Sequence, residues 1–268
     1  MKINIFRVGE IDKVLEDEII YNITRVYEKS GLYPDYLEIY LYESIRDIEV
    51  RLYKEAAEVG AYYSGDIYFA MHDAYYGWPR IHICLELLKK LSRDVWIGGL
   101  LHEAAHGILH GSIEYYLVSI PSDLNSYCLA NKLSRDHCLS ILHYISLIVK
   151  DYHVTKFLLK HNFTDDEYPF IEYTLDVKEI LVEYDNAFKK VVKNIILLSV
   201  LKSIATAIPY LNISKYSIEI GNMITEILNY FLDDYKIDFR EFINIFNKFN
   251  MDFAHDLNLF TSYILGII

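Results

Sequence analysis

The chain has 268 residues, of which 53% are hydrophobic and 24% charged, with a formal net charge of -12. That is enough apolar chain to bury a sizeable core, which excludes a disordered protein. An acidic chain without a basic stripe lacks the electrostatic footprint of a nucleic-acid binder.

Residues 3–8 are a short apolar start that reads as a strand, and 11–29 carry Ile11, Val14, Leu15, Ile19, Ile23 and Val26 at helical spacing before Ser30-Gly31. Tyr36–Tyr42 is rich in aromatic and β-branched residues and reads as a second strand. Ser44 opens a helix that Gly60 closes, a strand is expected over 66–71, and 75–79 form a turn. Arg80–Cys84 alternates cleanly as another strand. After a short helix over 85–91, Ser92 to Asp94 cap a helix that runs towards Gly111. A long helix is expected over 137–161, a loop or boundary at 164–167 with Pro169, and further apolar helices over 175–207, 216–232, 238–247 and 253–265. Strands before helices predict an α+β fold. The expected division is a first domain over 1–165 and an α-helical domain or extension over 166–268.

The helix before Gly111 contains His102-Glu103-Ala104-Ala105-His106. Residues four apart share one helix face, so His102 and His106 can grip one metal ion while Glu103 reaches a water on it. Apolar flanks at Leu100, Ala104, Ala105 and Ile108 bury this helix, where unpaired polar groups would be costly. This H-E-x-x-H stretch, with its upstream strand, resembles the zincin metallopeptidases over about residues 36–161. The metzincin continuation is missing, because Leu109 stands at its glycine position and Ser112 at its third histidine. His110 extends the run to H-E-x-x-H-x-x-x-H, as in small gluzincins of the minigluzincin type. It lies eight residues from His102, about 12 Å along a helix, too far to share the same metal.

The resemblance implies one zinc ion, Glu103 as general base, and a third ligand from a carboxylate on a second helix. Asp151 is the best candidate, because the stripe His143, Leu147, Asp151, Val154 is mostly apolar and so faces inward. Aspartate there departs from the usual gluzincin glutamate. Glu114 is the second choice, with Asp123, His143 and His153 as further rivals. His110, Glu114, Tyr152 and His82 are possible outer-shell or substrate contacts; Tyr115 and Tyr116 could also offer a phenol to an oxyanion, and His72 and His82 read as structural histidines. The stretch 233–242 looks like the end of a calcium loop, but Tyr230, Leu232 and Tyr235 occupy positions that need ligands and glycine.

The expected activity is zinc-dependent peptide-bond hydrolysis, with Arg80–Cys84 as the edge on which a peptide or protein substrate pairs. The alternatives are a catalytically inactive zincin-fold binding or regulatory protein, and a helical scaffold with a chance motif. The helical C-terminal part offers a surface for a homo-oligomer. Cys84, Cys128 and Cys138 form no C-x-x-C and read as buried reduced thiols. With a start too poor in apolar residues for a signal peptide, they lead to the expectation of a cytoplasmic protein. The run nearest a membrane span, 191–211, is interrupted by Lys193 and Lys202, so no span is expected.

Overall fold

Lys2–Val8 (β1) and Tyr36–Tyr42 (β2) lie side by side and parallel in the computed structural model, which describes residues 1–60 and 67–268. A parallel pair needs a crossover, and Lys13–Ser30 (α1) supplies it. Asp12 caps α1 by accepting from Leu15 N at 2.8 Å, and Gly31 ends it in the left-handed region. Ile45–Val59 (α2) follows. The strand expected over 66–71 begins at Asp66, outside the described residues; the strand described is Ala70–Asp73 (β3). Arg80–Cys84 (β4) completes a sheet of order β1-β2-β4-β3, with β4 parallel to β2 and antiparallel to β3.

That order corrects one expectation. β4 is hydrogen-bonded on both sides, so it is an inner strand, and the edge beside it is β3. Its full burial explains the reading: a short alternating strand looks the same in sequence whether its flanks are paired or open.

The two faces of the sheet differ in chemistry. Tyr40, Tyr42 and Cys84 pack with Ile48 and Leu52 of α2. On that face Arg80 is wholly buried between Glu55, at 2.6 Å, and Asp73, at 2.7 and 2.9 Å. The other face carries Leu37, Ile39, Leu41, Ile81 and Ile83, none of them exposed to solvent. After a single turn at Leu85–Leu88 (α3), Arg93–Leu109 (α4) packs on β3 and β4, and α1 packs on α4.

A 3-10 turn over Ile113–Tyr115 leads to Ser122–Ala130 (α5) and the long Arg135–Lys160 (α6). The segment expected as a loop at 164–169 is instead a helix, Thr164–Thr174 (α7), with Pro169 inside it. Its acidic first turn, Asp165, Asp166 and Glu167, suits the positive end of a helix. The expected helix 175–207 is broken into Lys178–Asn186 (α8) and Lys190–Ala207 (α9). Ser217–Tyr230 (α10), Phe239–Asn247 (α11) and Phe253–Ile264 (α12) follow. The fold is therefore α+β, a small mixed sheet with a mostly helical C-terminal part.

The chain forms two compact units. One unit comprises Met1–Val118 and Lys156–Phe170; the other comprises Ser119–Thr155 and Ile171–Ile268. In the second unit Cys128 and Cys138, expected as reduced thiols, are joined by a disulfide between α5 and the start of α6. Cys84 is a free buried thiol, as expected. Lys190–Asn212 is long and apolar enough to cross a membrane by length and composition, and 56% of its most apolar window is buried within the protein.

Candidate metal centre

Helix α4 is apolar almost all round, with Leu100, Leu101, Ala104 and Ala105 excluded from solvent. A helix of that kind is driven into the interior and takes its polar residues with it. His102 and His106 are accordingly buried, while Glu103, turned to the next face, is half-buried.

Each histidine is engaged through Nδ1. His102 Nδ1 lies 3.3 Å from Oε1 of Glu167, a fully buried carboxylate on α7. His106 Nδ1 lies 3.0 Å from Nδ1 of His110, which caps the C-terminus of α4 and is itself buried. One of those two nitrogens donates and the other accepts.

Asp151 comes from α6. Ligand atoms of His102, His106 and Asp151 all lie within 4.8 Å of one another, and all three residues are buried. Two imidazoles and a carboxylate are the donor set of a three-ligand metal site that keeps further positions open, so these residues fit a metal ion. Lys202 of α9 places Nζ 3.8 Å from the Asp151 carboxylate. Burial lowers the neighbouring Lys150 ammonium to about 8, partly offset by Asp151. Burial also drives the His143 imidazole down to about 3, helped by the charges of Lys150 and Lys202 and opposed by Asp151.

The other candidates are placed elsewhere. Glu114 is exposed on the 3-10 turn, its carboxyl lowered by a hydrogen bond from Ser112. Asp123 is exposed and accepts from Ser262 Oγ at 2.8 Å. His153 bonds through Nε2 to Asp256 Oδ2 at 2.8 Å, and Tyr152 packs on Phe246 and Phe249 with its hydroxyl on the Phe246 carbonyl at 3.3 Å. His82 stacks on Tyr40 and bonds Asp73 at 2.8 Å and Tyr42 at 3.0 Å. Those partners belong to the α2 face, so His82 turns its back on α4.

Two residues near the centre were not marked for it by sequence. His72 on the edge strand lies parallel to His106, ring centroids 5.8 Å apart, and its Nδ1 meets the Tyr116 hydroxyl. It sits opposite Ile81 in register, hence on the α4 face. Glu167 is the other. Its signal was present, because Thr164-Asp165-Asp166-Glu167 has the T-x-x-E form that opens helices. Comparisons of the chain with protein-family models, curated proteins and solved structures each find no match.

Proposed function

We propose that the protein is a zinc-dependent metallopeptidase of the zincin type. The observation that carries this reading is the buried group His102, His106 and Asp151 drawn together from α4 and α6. These residues would hold the zinc ion, which when bound supplies Lewis acidity and acidifies water. Glu103 leaves the same helix one residue after His102, on the adjoining face. Its carboxylate accepts a proton from the attacking water and passes it to the leaving amine. His110 orients His106 through their paired Nδ1 atoms. Edge strand β3, rather than β4, is the strand to which an extended peptide would add.

The test is a Glu103→Gln variant assayed on a peptide library beside the parent chain. Loss of about 10²–10⁴ in rate with zinc content unchanged is expected for removal of a general base. Equal rates would sink the mechanism. A second reading, a metal-binding regulatory protein without proteolysis, is favoured by the burial of all three candidate ligands. It predicts stoichiometric zinc, lost in His106→Ala, with no cleavage by the parent chain.

A further inference from the structure

We propose, resting on the metal reading above, that Glu167 is a positioning residue that fixes the His102 ring for its ligand role. A neutral imidazole has one protonated nitrogen and one lone pair, and its surroundings choose which is which. A carboxylate can only accept. Glu167 Oε1 at 3.3 Å therefore holds the proton of His102 on Nδ1 and puts the lone pair on Nε2. That is the reverse of the tautomer a free imidazole prefers.

The packing explains how a residue 65 positions away reaches this ring. Gly98 lies one turn before His102 on the same face of α4. A Cβ built there would stand 2.7 Å from Cβ of Phe170, and 3.1 and 3.2 Å from the carbonyl oxygens of Asp166 and Glu167. The backbone of α7 thus rests directly on α4, an approach that only glycine permits. Helix α7 is held in place at its other side. Asp166 pairs with Arg25 of α1 at 3.0 Å, and Lys29 donates to the Asn162 carbonyl at 2.6 Å while covering the Phe163 ring. Phe170 then closes on His102, ring centroids 5.3 Å apart. The two ligand histidines are consequently held differently. His102 faces a group that can only accept, whereas His106 faces an imidazole that can do either.

Two measurements on the full chain test this. The first is the tautomer of His102 in metal-free protein, read from ¹⁵N-histidine spectra and assigned by the signal missing in His102→Gln. The Nδ1–H form is expected in the parent and a shift towards Nε2–H in Glu167→Met, which keeps length and burial but removes the acceptor. The second is titration with Zn²⁺ alone. Glu167→Met is expected to bind about 10–100-fold more weakly than the parent, and Glu167→Gln, which keeps an acceptor oxygen, to lose less than Met. An Nε2–H ring in the parent overturns the proposal without recourse to any folded Glu167 variant. So does a Glu167→Met protein that keeps both the parent tautomer and the parent affinity. A parent chain that binds no zinc overturns the metal reading and the ligand role with it, while the tautomer still reports separately whether Glu167 holds the ring.

Discussion

His72 and His82 belong to neighbouring paired strands and serve opposite faces of the sheet. Side chains along a strand alternate, so one step in register decides whether a ring meets α4 or α2. Sequence cannot supply that step, because the pairing partner is not local. On the α2 face the buried Asp73 carboxyl accepts from Arg80 and bonds His82. Burial alone would raise it, but His82 and Arg80 outweigh burial and hold it well below the usual range. A depressed carboxyl contributes stability that is complete above its unfolded value, about 3.9, and is lost as pH falls through the lower folded value. Melting curves from pH 6 to pH 2 should therefore fall more steeply for the parent than for Asp73→Asn. At neutral pH that variant should be less stable by about 3–5 kcal/mol, because Arg80 and His82 keep their burial and lose a partner. Identical curves would show that Glu55 alone suffices for Arg80.

Gly98 sets the distance between α4 and α7, and this gives alanine there an unusual effect. Alanine in place of glycine inside a helix ordinarily stabilises by about 1 kcal/mol. Here the added methyl meets Phe170 and two carbonyl oxygens, so Gly98→Ala should destabilise by about 1–3 kcal/mol in denaturant titrations. A gain in stability would show that α7 can withdraw freely. The same helix shows one signal masking another. Acidic residues followed by Pro169 imitate a loop, although Thr164 and Glu167 stand at the spacing that opens a helix, as 164–174 does. The helix that carries His102 and His106 was legible because its signal is local, the two rings one turn apart on apolar flanks. The burial of Asp151 was legible for a related reason, as a carboxylate in an apolar stripe. Between α5 and α6, the disulfide closes a loop of sequence separation 10. Removing it with Cys138→Ser should cost about 2–3 kcal/mol by the loop-entropy argument. A reductant should lower the parent's melting temperature and leave the variant's unchanged.

The chain passes between its two compact units at 118/119, 155/156 and 170/171, so neither unit is one continuous stretch. The α+β class was legible from strands preceding helices, whereas this interleaving was not, because apolar periodicity says that a helix is buried and not against what. Truncation after Phe170 tests it. Such a chain keeps 119–155 but lacks the segment that covers it, taking Asp256 from His153 and Phe246 and Phe249 from Tyr152. It should be aggregated or partly unfolded by circular dichroism and gel filtration; a soluble, cooperatively melting product would mean that 1–170 is a domain in its own right. The separation of His102 from Glu167 also has a consequence in time. Synthesis proceeds at about 5–20 residues per second, so α4 exists for several seconds before the carboxylate that locks its first histidine is made. On the proposed reading, the His102 tautomer stays unselected until residue 167 has been made, so tight zinc binding would follow synthesis of α7 and could not seed α4, unlike small zinc domains that fold around their ion.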